Sequence, residues 1–441
     1  MSLKKAPHRS YGNGDSTSPC SCVNPNLPKT LPIVGLGCSS FSTAFFHDPE
    51  KVDPPLTNPP SRKHPLVMKW IETIHHAILN CGITLLDTAP WYGHGISEIV
   101  IGFALEDLLQ SDTGKGVVRR ADLVINTKVG RYDADPIQDM FDFSARRVRS
   151  SVLTSMERMN CSYIDVLQLH DPEFAPSLDL LIDETIPAMI KLRDEDKVVR
   201  AIGMTGYSLA VQYKLIHRTF EKYGVYFDQS LTYCHYTLFD QSVFHSPCPR
   251  TDSPCATGEM HPPSSSSSSF ADYCKVNNVG LLAAAPLGMG LLTQESNPPP
   301  WHPASAPLKD ACKNAATYCD KMNISLTTMA LMFALGQENI ACTILGMKDK
   351  EEVDRAMAIA RRFICTDTDN HHDRTKLLSL PHVLTQVENK VLNHLLDLEN
   401  DGPFSEVARS GEFQWEGVEV ANFWKLNPYS KLEAERRMRQ Q

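Results

Sequence analysis

The sequence predicts an α/β fold, a closed (β/α)8 TIM barrel, on three observations. Eight short β-rich runs alternate with longer helical stretches between Ile33 and Met347. Several of these runs are almost continuously apolar, as parallel strands covered on both faces must be. Polar side chains suited to catalysis recur at the C-terminal ends of successive runs, the face on which such barrels carry their sites. A length of 441 residues, 42% hydrophobic and 22% charged, accommodates one large barrel with additions.

In chain order the strands are expected at Ile33–Gly37, Ile83–Asp87, Leu123–Val129, Ile164–His170, Val199–Thr205, Phe227–Cys234, Leu281–Leu287 and Thr343–Met347. Helices fill the intervals. Val67, Trp70, Ile71, Ile74 and Ile78 share one stripe, as do Val148, Val152, Met156 and Met159, the spacing of helices that bury one face. Eight strands, each followed by a helix, imply closure rather than a doubly wound sheet. The barrel is expected over residues 31–364. Residues 1–30 read as a disordered N-terminal tail, and His47–Lys63 as a Pro-rich loop after the first strand. Phe244–Ser269, with six consecutive serines, reads as a low-complexity insertion that cannot bury enough apolar surface to order itself. Residues 365–441 read as a C-terminal helical extension. It has a helix over Leu384–Leu398, then Trp415, Phe423 and Trp424, which need apolar surface to pack on.

Forty-three basic residues against 52 acidic give a net charge of -9. There is no Lys/Arg-rich face to gather phosphates, so nucleic acid is not an expected partner. No apolar run approaches the roughly 20 residues that span a bilayer, and the first thirty residues lack an apolar signal core. Thirteen cysteines without paired CxxC spacing read as reduced thiols in the cytoplasm; Cys20 and Cys22 have no second pair to complete a zinc site. No metal is expected, and the chain is expected as a monomer or small homo-oligomer.

The second strand ends in LLDTAPWYG, with Asp87 at the rim and Trp91 and Tyr92 just beyond. The third ends in INTKVG, with Lys128, and the fourth in LQLHDPE, with His170 and then Asp171. Together they suit hydride chemistry at a carbon bearing oxygen. A tyrosine hydroxyl can exchange the oxygen's proton, but its ordinary pKa near 10 must fall for it to work near neutrality. An ammonium beside it, Lys128, favours the phenolate. A carboxylate, Asp87, keeps that lysine protonated and oriented, and an imidazole, His170, can hold the substrate oxygen. Singly, Asp87 could be a turn residue, Lys128 a solvated charge and His170 a structural histidine. Their recurrence at three successive strand ends carries the functional reading.

The stretches GITLLDTAPWYGHGISEIVIG, INTKVGRY and SSVLTSMERMNCSYIDVLQLHDPE resemble the signatures of the aldo-keto reductase family over roughly residues 31–361. That resemblance implies a catalytic tetrad of Asp87, Tyr92, Lys128 and His170. FDFSARRVRSSV, HDPEF, TYCHYTL and PPPWHPASAPLKDA are similar to the branch holding L-galactose, D-arabinose and other aldose 1-dehydrogenases. The branch implies oxidation of a free aldose, L-galactose favoured, at its anomeric carbon to the aldonolactone. Trp91 and Asp171 are then expected at the sugar. Alternatives are a D-arabinose or L-fucose dehydrogenase, an NADPH-dependent aldehyde reductase, or a non-catalytic nucleotide-binding regulatory subunit.

The resemblance places the cofactor along Thr205, Gly206, Tyr233, Pro286, Leu287, Gly288, Gly290, Gly346, Met347 and Lys348. Glycines would let backbone approach the pyrophosphate, and the helix N-terminus after Gly346 would offer an anion site. Ala284, Tyr233 and Ala356 depart from the family's usual tyrosine, glutamine and asparagine, and Tyr233 is expected to supply the missing ring face for nicotinamide. Lys348 and Lys350 interleave with Asp349, Glu351 and Glu352, which would repel a 2′-phosphate. NAD is therefore expected, with NADP left open.

Overall fold

Eight parallel strands close on themselves in the computed structural model, which describes residues 6–10, 24, 26–43, 52–110, 117–133, 135–245, 269–295, 298, 300–364 and 377–440. The strands are β1 (Val34–Gly37), β2 (Leu85–Asp87), β3 (Val124–Val129), β4 (Ile164–His170), β5 (Val199–Gly206), β6 (Gln229–Tyr233), β7 (Gly280–Ala284) and β8 (Cys342–Gly346). β8 pairs with β1 from Thr343↔Val34 to Gly346↔Gly37, which closes the ring. Each expected strand is present. β7 stops three residues short of expectation because Ala285 turns to a φ of +55°, which ends the extended run.

Leu85, Val124, Val166, Leu231, Leu282 and Ile344 fill the barrel interior. The first strand contributes backbone there, since a Cβ on Gly35 would sit 2.6 Å from the Ile344 side chain. Outside, helix Pro65–His75 starts on a His64 side-chain cap and buries Val67, Trp70, Ile71 and Ile74. It then widens into a π turn, His76–Asn80, where the Cys81 N–H reaches the His76 carbonyl at 3.2 Å. Helix Ala145–Arg158, capped by Ser144, buries Val148 and Val152 as its stripe requires.

The tail expected over residues 1–30 is not disordered throughout. His8–Ser10 pairs antiparallel with Thr30–Pro32 at the barrel's N-terminal end, His8 opposite Pro32. Apolar content did not announce this strand because a single arginine holds it. Arg9 donates to the carbonyls of Leu335 (2.8 Å), Ile340 (3.0 Å) and Gln337, at and just beyond the C-terminal end of helix Leu326–Leu335. Burial pushes this guanidinium down to about 10, still a cation at neutral pH.

The extension folds back over the opposite end. Helix Gln386–Leu395 begins on a Thr385/Glu388 capping box, and Arg362 grips Glu388 at 2.7 and 2.8 Å. Phe423 meets Phe141 and Phe174 edge-on at 5.0 and 5.7 Å, and Gln414 donates to Asp240 at 3.0 Å. Trp415 is buried, as expected of an aromatic that packs. Cys20, Cys22, residues 47–51 of the Pro-rich stretch, residues 246–268 of the insertion and residues 365–376 lie outside the described residues. No described helix is long and apolar enough to cross a membrane.

Arg9→Ala removes the donor to three carbonyls and should lower stability by about 1–3 kcal/mol. Urea unfolding midpoints of the two proteins check this, and an unchanged midpoint would mean that the strand is decoration.

Candidate active site

Asp87 ends β2, Lys128 lies near the end of β3 and His170 ends β4, so three adjacent strands bring them to one rim. Tyr92 sits in the turn after β2. Its N–H donates to the Ala89 carbonyl and its carbonyl accepts from Ser97, whose hydroxyl in turn donates to Cys38. The four residues predicted from sequence are thus brought together.

Lys128 donates to Asp87 Oδ1 at 2.5 Å and to the Thr88 carbonyl at 2.8 Å. Gln168 donates to Asp87 Oδ2 at 2.8 Å, so both carboxylate oxygens are used. Burial alone would discharge the lysine, but Asp87 and Tyr92 outweigh it and the net shift is upward. The ammonium stands 4.8 Å from the Tyr92 ring centre. Burial nevertheless dominates at Tyr92 and pushes its hydroxyl up to about 12 against the pull of Lys128. The expected lowering is therefore present as a contribution but does not win in the protein alone.

His170 packs edge-on to Tyr92 with ring centres 6.0 Å apart. Burial, then Lys128 and Arg131, hold it well below the ordinary histidine range, so the ring is neutral. Its Nδ1 has no hydrogen-bond partner. Asp171, expected at the sugar, takes a left-handed backbone (φ +50°) and turns its carboxylate to Arg131 at 2.7 Å. Arg131 also lies 4.4 Å over the Trp91 ring. Trp91 and Asp171 thus frame an arginine, and Asp171 Oδ2 already has a partner.

Arg131, Gln168, Thr88 and Glu173 belong to this site and escaped the sequence reading. Gln168 was within reach, because two residues before His170 in a strand is the same face. Glu173 accepts from the Tyr207 N–H at 2.7 Å through Oε1, while its buried Oε2 has no partner. Burial, reinforced by Asp171, raises it to about 8. Gly206 packs against it, and a Cβ there would fall 2.5 Å from Oε2, so any larger residue would displace the carboxylate.

The residues expected at a cofactor form a strip over the ends of β5 to β8. Thr205 and Gly206 end β5 beside His170, and Tyr233 ends β6 with its ring 4.9 Å from Tyr207. After Pro286 and Leu287, Gly288, Met289 and Gly290 run at positive φ, with the Gly288 carbonyl held by His302 at 3.0 Å. Gly346, Met347 and Lys348 follow β8, and a Cβ on Gly346 would meet nothing within 4 Å. The four glycines leave backbone without side chains along this strip, and the partnerless Glu173 Oε2 borders it at Gly206, a lining whose polar groups fit an extended dinucleotide. One expectation differs. The helix N-terminus after Gly346 is already supplied with anions, since the Lys348 N–H donates to Glu352 and the Glu352 N–H to Asp349. Ala356, where the family usually has asparagine, is buried in helix Lys350–Arg361.

Comparison with known proteins agrees with this geometry. The family model described as "Aldo/keto reductase family" matches residues 68–370. L-galactose dehydrogenase of Arabidopsis thaliana is 36% identical over 288 residues, 65% of this chain and 76% of that protein. D-arabinose 1-dehydrogenase of Saccharomyces cerevisiae is 27% identical, with 76% and 84% covered. Among solved structures, a glycerol dehydrogenase from Gluconobacter oxydans superposes with a TM-score of 0.54 at 21% identity, covering 86% of this chain and 95% of that one. At that identity the likeness speaks to the fold.

Asp87→Asn strands the Lys128 charge in the interior and should cost about 3–5 kcal/mol. The double variant Asp87→Asn/Lys128→Met should recover most of that loss in unfolding experiments. Additive losses would mean that the pair is not coupled.

Proposed function

The chain belongs to the aldo/keto reductase family of nicotinamide-dependent oxidoreductases, and from that premise we propose that it oxidises a free aldose at its anomeric carbon, L-galactose first among candidates, to the aldonolactone with NAD. The observation that carries this reading is the buried Asp87–Lys128 pair set under the Tyr92 ring at the barrel mouth. A protein that only bound nucleotide would have no use for a desolvated ammonium beside a tyrosine. The choice of an aldose rests on the likeness to the plant and yeast sugar dehydrogenases.

NAD supplies the hydride acceptor. Tyr92 Oη takes the proton of the anomeric hydroxyl as C1 gives up hydride, and the C1–O bond becomes the lactone carbonyl. Lys128 stabilises the phenolate that must precede this transfer, and Asp87 with the Thr88 carbonyl fixes the ammonium in place. Neutral His170 hydrogen-bonds the same hydroxyl without adding a positive charge that would oppose departure of hydride from C1. NAD rather than NADP is supported by the pairing of nearby lysines. Lys348 lies 3.5 Å from Glu352, Lys69 3.2 Å from Asp349 and Lys350 2.8 Å from Glu72.

The reading is tested by NADH formation from NAD with L-galactose, L-fucose, D-arabinose, L-gulose and D-galactose, NADP being run in parallel. Oxidation of L-galactose with NAD should be fastest, and Tyr92→Phe should reduce kcat by about 10²–10⁴. A preference for D-arabinose would change the substrate and keep the mechanism, whereas silence on all five sugars would refute the proposal. The pH profile adds a sign. Because Tyr92 is raised to about 12, the phenolate fraction grows about tenfold per unit below that value, so kcat/KM for oxidation should climb toward alkaline pH. With His170 held neutral, no inflection is expected near its ordinary pKa of about 6.5. A flat profile above neutrality would remove Tyr92 as the base.

A further inference from the structure

Outside the barrel, toward its N-terminal end, a histidine, a cysteine and an aspartate turn their ligand atoms toward one another. None takes part in the chemistry above. His76 Nε2 lies 2.7 Å from Asp354 Oδ1, and Cys81 Sγ lies 3.7 Å from each of these atoms. The three are supplied by the turn before β2 and by helix Lys350–Arg361, which packs beside it.

The backbone makes this meeting possible. Residues five apart on a regular α-helix are rotated by about 140° and face different ways. Here helix Pro65–His75 widens into the π turn His76–Asn80, and the Cys81 N–H bonds to the His76 carbonyl at 3.2 Å. The wider turn sets position 81 close over position 76. Such interruptions of a helix are uncommon and are often found at functional sites.

We propose that His76, Cys81 and Asp354 form a binding site for a divalent transition-metal ion, zinc above all, with the fourth position left to water. A tetrahedral zinc with ordinary bonds to sulfur, imidazole and carboxylate sets sulfur about 3.5 Å from the other donors, and nitrogen about 3.4 Å from oxygen. Two of the three edges already fit. The third must open by about 0.7 Å, and Asp354, with its side chain 60% exposed, is free to swing. Cys81 is buried at the back of the site, so its sulfur would close one side of the ion from solvent. The mixture of sulfur, nitrogen and oxygen donors suits zinc or cobalt and not magnesium or calcium.

A hydrolytic triad does not fit the same residues. In a triad the carboxylate orients the ring from the nitrogen opposite the nucleophile, but here sulfur and carboxylate converge on the same nitrogen, Nε2. A cation between them fits that convergence. Arg361 also reaches the Cys81 sulfur and opposes a cation, but a thiolate and a carboxylate together outweigh its single charge.

Cobalt(II) added to the full chain, stripped beforehand with chelator, should produce a thiolate-to-cobalt charge-transfer band at one ion per chain, bleached by zinc. Cys81→Ser and His76→Gln should abolish the band. Asp354→Asn, a change at an exposed position that leaves folding intact, should weaken cobalt binding by about tenfold or more. Absence of the band, its survival in Cys81→Ser, or unchanged affinity in Asp354→Asn would each overturn the proposal. Far-UV circular dichroism of every variant separates loss of the ion from loss of the fold.

Discussion

The buried pair between Asp87 and Lys128 is the constraint to which the rest of the mouth answers. Each charge is almost fully removed from water, and an ion so placed costs several kcal/mol unless its remaining hydrogen-bonding capacity is met. Gln168 and the Thr88 carbonyl meet it. The first fixes β4 against β2 across the barrel, and the second fixes the turn that carries Tyr92. The register follows the same demand, with Asp87 opposite Asn126 and Lys128 opposite Gln168. One inward position below Lys128, the buried Asn126 amide has no partner, so polar groups continue into an otherwise aliphatic interior.

Strain collects at the same rim. Asp171, Cys234 and Ala285 each follow a strand directly and each adopts a left-handed backbone without being glycine. Such residues persist only where their surroundings over-determine them, at a cost of order 1 kcal/mol or more each. The strand ladders supply that determination, since the Asp171 N–H still bonds to Thr205 at 2.8 Å and the Cys234 N–H to Ala284 at 3.1 Å. The chain thus turns away from the barrel without giving up its last hydrogen bond.

What the sequence made legible was short-range and periodic. Parallel strands must be apolar along their length and can be polar only where they emerge, so Asp87, Lys128 and His170 marked the rim as three endings. The features that stayed hidden depend on distant partners. Nothing in HRS predicts a strand, because Arg9 finds its acceptors more than 300 residues later. The partnership of Arg131 with Asp171 and Trp91 joins three loops. The helix after β8 has the residues of an anion site, but only coordinates reveal that Asp349 and Glu352 turn inward to fill it.

The two added segments hold opposite ends of the barrel, and this imposes an order during synthesis. The floor strand His8–Ser10 emerges from the ribosome early but has no carbonyls to grip until residues 335–340 are made. The aromatic wall at the mouth comes later still, because Phe423 can reach Phe141 and Phe174 only after the eight strands exist. A nascent chain stalled before that point would hold the whole Asp87–Lys128–Tyr92–His170 group without the wall beside it. Completion of the mouth is thereby reserved for a chain that already holds all eight strands.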